Sequence, residues 1–306
     1  MSRTAYIFPG QGSQYVGMGK DLYEQNSEAR SLFKRADDIL GFSLSKICFE
    51  GPEKELKQTK NTQPAIFLHS IILTRIMEPE EVDMAAGHSL GEYSALVFAG
   101  AMSFEDGLTI VRLRGELMQE AGEKQPGTMA AVVGIEKAQL EDICREASAA
   151  GIVQCANYNS PGQIVISGSV SGVRKAMEIA KALGAKLVKE LIVSGAFHSP
   201  LMRSAKENLQ KALQSVTIND AKIPVYANVT AKPASSASDI RQLLVEQIDH
   251  PVRWEETIEA MGGAGATRFI EIGPGKVLQG LNKRINATLE TSGIDKINDV
   301  VKLITG

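Results

Sequence analysis

Apolar residues recur along this chain with two periods, and their alternation predicts an α/β protein. Short apolar runs at residues 5–8, 82–86, 225–229 and 269–272 read as buried strands, most of them bounded by Pro or Gly. Between them lie longer segments at helical spacing. Residues 28–40 place Leu32, Phe33, Ala36, Ile39 and Leu40 on one face, with Gly41 as a stop. Pro64 is expected to open a second helix, whose apolar face is Leu68, Ile71, Ile72 and Ile76. A third follows Gly91 and stops at Gly100, and Ser103 with Asp106 reads as the capped start of another over residues 104–120. Residues 239–248 are helical, and Gly273-Pro274-Gly275 turns into a helix carrying Val277, Leu278 and Leu281. Residues 51–62 read as a polar connection, 78–81 as a short acidic loop, and the tail from Asn286 as weakly patterned.

Residues 127–193 change character. Their pattern predicts strand (129–133), helix (137–149), strand (152–156), turn (159–163), strand (164–167), helix (171–183) and strand (186–192), the β-α-β-β-α-β order of a ferredoxin-like module. Flanked by α/β material on both sides, the module is expected to be an insertion. Residues 1–126 and 194–306 would then form a large α/β-hydrolase-like domain with a parallel sheet, and 127–193 a small ferredoxin-like subdomain, with the cleft between them as the natural site.

Bulk properties narrow the class without naming a reaction. The 306 residues are 43% hydrophobic and 23% charged, as in globular proteins. A formal net charge of −3 and a pI near 5.9 argue against a nucleic-acid partner. Three cysteines, Cys48, Cys144 and Cys155, at unrelated spacings and without a C-x-x-C pair indicate neither a disulfide framework nor a metal site, and fit a reducing cytoplasm. The opening MSRTAYIFPGQ lacks the apolar run of a secretion signal, and no stretch of 18 apolar residues occurs, so a cytoplasmic protein with no membrane partner is expected.

Candidate chemistry concentrates at residues 84–98, MAAGHSLGEYSALVF. An apolar lead-in meets Gly87-His88-Ser89-Leu90-Gly91 and then a helix-favouring segment, which is the strand, turn and helix of a G-x-S-x-G nucleophile elbow. Without Cβ atoms at 87 and 91 the strand and helix can close together. The Ser89 Oγ then projects into a cleft beside the N–H groups of the helix start. The same letters also suit an ordinary turn serine. The glycine-rich loop after the first strand, Gly10 to Tyr15, is no dinucleotide fingerprint, since Tyr15 stands where a glycine is needed, and Gly19-Lys20-Asp21 lacks the Ser or Thr of a Walker loop. Such a loop can instead aim its N–H groups at a neighbouring reaction centre.

Two further residues stand out. Arg114 has Ile110 and Val111 one turn before it and Leu117 and Met118 one turn after, so its helical neighbours are all apolar, whereas Arg112 sits beside Glu116 and reads as a solvated pair. A guanidinium on an apolar face needs an anion, because burying a lone charge costs several kcal/mol. That anion is a structural carboxylate, or it arrives with the substrate; the remaining option is a side chain that snorkels to water. His198, in Ser194-Gly195-Ala196-Phe197-His198 ahead of a Ser199-Pro200 helix start, lies where the small module returns to the large one, and is either a general base or an exposed loop histidine. His69 has helical core neighbours, His88 should point away from the serine, and His250 has no other signal. Cys155 reads as a small core residue of a strand.

Taken together, FPGQGSQ (8–14), GHSLGEYSAL (87–96), VRLRGELMQE around Arg114, NYNSPGQIVISG (157–168), GAFHSPLM (195–202), VEQIDHPVRW (245–254) and EIGPGKVL (271–278) resemble the bacterial malonyl-CoA:acyl carrier protein transacylases over essentially the whole chain. The resemblance implies Ser89 as nucleophile, His198 as its base, Arg114 as clamp for the malonyl carboxylate, and the main-chain N–H groups of Gln11 and Leu90 as oxyanion hole. It also implies that the Gln247 main-chain carbonyl orients His198 in place of a triad acid, for which no Asp or Glu suggests itself. Phe197 beside His198 resembles the malonyl-type pattern, in which the ring fills the space of an α-methyl group, so weak use of methylmalonyl-CoA is expected. The implied reaction moves malonyl from malonyl-CoA to the phosphopantetheine thiol of acyl carrier protein, in a ping-pong cycle of fatty acid biosynthesis. Thioester exchange of this kind needs no cofactor: no metal, ATP or redox group. The short 78–81 loop departs from longer ones in many relatives; it lies before the strand and puts nothing catalytic in doubt. A serine esterase would share the elbow and His198 without needing a buried Arg. A docking module would need surface lysines such as Lys181, Lys186, Lys276 and Lys283, but not Ser89.

Overall fold

An apolar run without alternation, such as residues 5–8 or 84–86, makes a stable strand only where both sheet faces are covered. The computed structural model, which describes residues 3–77 and 81–305 and no side chains at 303–305, places both runs at the centre of a sheet. Ten strands form among the described residues: β1 (Arg3–Phe8), β2 (Met84–Gly87), β3 (Gly127–Val133), β4 (Val153–Ser160), β5 (Gln163–Ser169), β6 (Leu187–Glu190), β7 (Val225–Tyr226), β8 (Pro233–Ala234), β9 (Ala266–Ile272) and β10 (Glu290–Ile294). Six make one sheet in the order β10-β9-β1-β2-β7-β8, parallel except for the β7–β8 pair. Separate apolar clusters pack on its two faces, one with Phe8, Phe67 and Leu96, the other with Ile7, Trp254 and Phe269.

Register positions the site. Ala5 pairs with Met84 and Phe8 with Gly87, so β1 and β2 end side by side. The loop after β1 and the turn after β2 therefore leave the same carboxyl edge, where open α/β sheets place their ligands. The other four strands make an antiparallel sheet, β4-β5-β3-β6, whose chain order is the β-α-β-β-α-β that the spacing predicts. Its helices, Lys137–Ala147 and Val170–Ala182, contribute Leu140, Ile143, Val173 and Ala176 to a cluster of its own, with Val132, Cys155 and Ile166 from the strands.

Several expectations are corrected. Pro64 does not open a helix; it sits inside one, Thr59–Ile76, and residues 51–62 hold a further short helix, Glu53–Leu56. A proline there leaves the carbonyl four residues earlier without its N–H donor. That carbonyl, on Lys60, accepts from Arg112 Nη1 at 2.8 Å instead. Arg112 is accordingly more than a solvated partner of Glu116: it also donates to Asn61 Oδ1 at 2.7 Å and lies over the Phe42 ring. The tail from Asn286 is structured as β10, an edge strand beside β9, and a helix, Ile297–Thr305, that returns Ile297 and Val300 to the core. An edge strand is held by main-chain pairing, and ETSGI buries only Ile294 fully, which leaves little hydrophobic pattern to read. The run at 225–229 pairs only through Tyr226, after which the chain leaves the sheet. The predicted loop at 78–81 falls, at 78–80, outside the described residues.

The closeness of strand and helix at the elbow depends on two glycines. A Cβ at Gly87 would lie 1.9 Å from the Gly91 carbonyl carbon, and one at Gly91 would lie 2.1 Å from the Phe8 oxygen. Both obstacles are main chain, which cannot rotate aside. Gly91→Ala is therefore expected to destabilise the protein by about 3 kcal/mol. Urea unfolding checks this, and an unchanged midpoint would show that β1 and the helix can part freely.

Candidate active site

The turn after β2 carries Ser89 at φ 50, a left-handed conformation uncommon for a residue with a Cβ. Strain of this kind persists only where neighbours over-determine it. Here Asn228 does so, because its Oδ1 accepts from the Ser89 main-chain N–H at 2.6 Å while its Nδ2 donates to the Gly87 oxygen at 2.7 Å. The Ser89 carbonyl in turn accepts from Gln247 Nε2 at 2.9 Å. Helix Gly91–Phe98 starts immediately after, and its Glu92 is buried, with Oε2 accepting from the Asn228 N–H at 3.0 Å and from Gln247 Nε2 at 2.7 Å. Burial pushes the Glu92 carboxyl up to about 7, with those two donors and the Arg114 charge pulling it back.

His198 is not an exposed loop histidine. It is buried, it too has positive φ, and its Nε2 lies 2.8 Å from Ser89 Oγ. Its Nδ1 lies 2.8 Å from the Gln247 main-chain oxygen. A carbonyl can only accept, so Nδ1 carries the proton and Nε2 presents its lone pair to the serine hydroxyl. Gln154 Nε2 donates to the His198 oxygen at 2.8 Å and fixes the main chain behind the ring. Burial, and next the Arg114 charge, hold the imidazole down to about 3, so it is neutral near pH 7.

Arg114 lies in helix Phe104–Lys124 with 1% of its surface exposed, which removes the snorkelling option. Nη1 donates to Gln63 Oε1 at 2.7 Å, and Nη2 to Gln247 Oε1 at 2.8 Å and Ser89 Oγ at 3.0 Å. Its guanidinium carbon is 5.5 Å from the Tyr93 ring centre. Among the described residues no carboxylate forms an ion pair with it, so the structural-carboxylate option is removed as well. Two amide oxygens and a hydroxyl carry the charge in its place. Burial lowers the affinity of Arg114 for its proton, an effect opposed by Tyr93 and Glu92.

Ser89, His198, Arg114, Gln11, Leu90 and Phe197 all line one cavity of about 250 Å³. Met129 and Val165 of the small sheet and Leu278 of the helix after β9 close its sides. Gln247 stands behind, reaching His198, Arg114 and Ser89 at once. Among the described residues, no main-chain or side-chain acceptor takes the Gln11 or Leu90 N–H. Gln11 is anchored through Nε2, which donates to Thr59 Oγ1 at 3.3 Å. The His88 ring leans on Trp254 and bonds Asn159, not Ser89, as an outward side chain can, and the residue still borders the cavity. His69 is buried as predicted, and Cys155 is a buried residue of β4. A larger cleft of about 800 Å³, lined by Gln154, Tyr158 and Pro200 among others, reaches neither His198 nor Ser89, and Lys206 and Asp249 on its wall already pair.

Glu92, Asn228 and Gln63 were not singled out by sequence. Glu92 carried a signal, being the one charge in GEYSALVF; Asn228 and Gln63 carried none, because their contacts arise only from tertiary packing.

Residues 5–300 match the model of the acyl transferase domain family. The chain is 48% identical over 297 residues to the malonyl CoA-acyl carrier protein transacylase of Bacillus subtilis (strain 168), covering 96% of this chain and 94% of that one. It resembles the crystal structure of acyl-carrier-protein-S-malonyltransferase from Bartonella henselae at TM-score 0.95 and 42% identity, covering 99% of this chain and 98% of that one. A malonyl-transacylase in complex with its type II PKS acyl-carrier protein matches at TM-score 0.96 and 39% identity, over 99% of each chain. An elbow serine, a buried histidine and an arginine without a carboxylate thus occur in a chain related end to end to enzymes of one kind, and the protein belongs to the malonyl CoA-acyl carrier protein transacylases of the acyl transferase family.

Proposed function

We propose that this acyltransferase moves the malonyl group of malonyl-CoA to the phosphopantetheine thiol of acyl carrier protein, through a malonyl ester on Ser89, as a supply step of fatty acid synthesis. The names of the relatives support donor and acceptor. Arg114 carries the choice of acyl group: a buried guanidinium aimed at Ser89 Oγ, with no carboxylate of its own.

In the first half-reaction, His198 Nε2 takes the Ser89 proton as Oγ attacks the thioester carbonyl. The Gln247 oxygen holds the ring and stabilises the imidazolium through the Nδ1–H bond. The Gln11 and Leu90 N–H groups stand free to receive the oxyanion. Coenzyme A then leaves as the thiol with the proton from His198. In the second half-reaction the carrier's thiol gives its proton to His198 and attacks the ester, and the acyl–Oγ bond breaks as His198 returns that proton to Ser89, leaving malonyl on the carrier as a thioester. Of the five guanidinium donors, three hydrogen bonds are made within the protein, and displacement of the Ser89 contact frees Nη2 to join Nη1 in a bidentate grip on the malonyl carboxylate. Phe197 on the cavity wall narrows the space beside it, in line with poor acceptance of an α-methyl group. The three free thiols, all buried, fit action in the cytoplasm.

Intact-protein mass after mixing with malonyl-CoA tests the reading: wild type gains one malonyl group and Ser89→Ala gains none, whereas an adduct on Ser89→Ala refutes the assignment. Arg114→Ala is expected to lower kcat/KM for malonyl-CoA by about a thousandfold while acetyl-CoA use is little changed, since only the anionic acyl group loses a partner. Retained preference for malonyl in competition assays would remove Arg114 from this role. For His198, whose proton affinity is depressed, the charged form is populated only far below the ordinary imidazole value of about 6.5. The NMR resonance lost in His198→Ala should therefore stay at its neutral position from pH 8 down to about 5, and a midpoint near 6.5 would show an imidazole open to water.

A further inference from the structure

Arg114 and Ser89 belong to different elements, and two neutral side chains tie them into one unit. Gln247 reaches Arg114 through Oε1 and Ser89 through Nε2, and Asn228 holds the strained Ser89 turn by its N–H. Both of these residues also donate to a single atom, Glu92 Oε2, the Asn228 main-chain N–H at 3.0 Å and Gln247 Nε2 at 2.7 Å. Glu92 is 3% exposed and makes no salt bridge among the described residues. A buried carboxylate that serves no ion pair yet collects the two residues bracketing the elbow is placed as a hub.

We propose that Glu92 is a positioning residue for the malonyl clamp: by accepting from Gln247 and Asn228 together, it keeps the Arg114 guanidinium in register with Ser89. The inference rests on the roles of Ser89 and Arg114 given above. The mechanical reason is the length of the Gln247 side chain. Its amide must face Arg114 with oxygen, because a guanidinium has only donors, and the opposite N–H2 end then needs acceptors. Ser89 O supplies one and Glu92 Oε2 the other. Without Glu92, the amide can pivot about its bond to Ser89, and Oε1 drifts from Arg114. Simple ester formation depends on Ser89 and His198, which are held by the Asn228 side chain and the Gln247 main-chain oxygen, groups that do not themselves bond Glu92, so acetyl transfer should be affected less than malonyl transfer.

The test is competitive acylation of the full chain by malonyl-CoA and acetyl-CoA, read as the ratio of the two adducts by intact mass. Glu92→Ala should lower the malonyl-to-acetyl ratio by about tenfold or more, and Glu92→Gln, whose amide oxygen can accept from the same two donors, should restore it to within about threefold of wild type. Should Glu92→Ala fail to fold, Glu92→Asp withdraws the acceptor by one bond and should shift the ratio in the same direction. In an Arg114→Ala background, Glu92→Gln and Glu92→Asp should both leave the ratio where Arg114→Ala alone puts it, since there is no clamp left to misplace. An unchanged ratio in the folded Ala or Asp variants, equal losses for both donors, or a Gln variant as poor as Ala would each overturn the proposal. Ser89→Ala in the same assay separates the two readings: an adduct there refutes the serine, whereas a Ser89-dependent adduct with an unmoved ratio refutes only the role of Glu92.

Discussion

A guanidinium buried without a carboxylate partner is the constraint around which this molecule is arranged. Desolvating such a charge costs several kcal/mol unless its donors are met. Arg114 meets those of Nη1 and Nη2 with two amide oxygens, from Gln63 and Gln247, and with the hydroxyl of Ser89, while its buried Nε–H has no partner among the described residues. Dipoles suit this purpose better than a full charge. A carboxylate in their place would neutralise the arginine and compete with any anion entering the cavity, whereas amides hold the side chain still and leave its charge uncancelled.

The same economy of charge governs the histidine. A main-chain carbonyl, not an acid, receives the Nδ1 proton. The two roles meet in Gln247, which contributes its backbone to the base and its side chain to the clamp. Its position at the C-terminal cap of helix Ala237–Glu246 gives its main-chain oxygen no onward helical donor, and that oxygen is free to turn to His198.

How far the site could be read from sequence follows from the range of the interactions that build it. Ser89 is legible because an elbow is local chemistry: two glycines, a serine and a helix start within five residues. Arg114 is legible because helical periodicity surrounds it with apolar neighbours, a conflict visible without any structure. Gln247 is another matter. Its bond to His198 comes from the backbone and leaves no mark on residue type, so only the family resemblance brought it forward. Glu92 and Asn228 join across more than 130 positions through a main-chain donor and a carboxylate. In the fold, the strands and helices with full apolar faces were legible, including the whole β-α-β-β-α-β order. Those held by main-chain pairing or by a distant side chain were not: β10 carries one fully buried residue, and the helix around Pro64 depends on an arginine from another helix.

The pairing of β1 with β2 has a consequence for how this site can vary. Gln11 and Leu90 each lie three residues beyond the paired ends of two neighbouring strands, Phe8 and Gly87, so the two turns that carry their N–H groups leave the sheet one inter-strand repeat of about 4.8 Å apart. The sheet is the ruler. Wall segments can change length or composition without disturbing that spacing, because the roots of the two turns are fixed by hydrogen bonds between strands. The part of the cavity that must not drift is thereby attached to the stiffest object in the molecule, and the parts that distinguish one acyl group from another are attached to everything else.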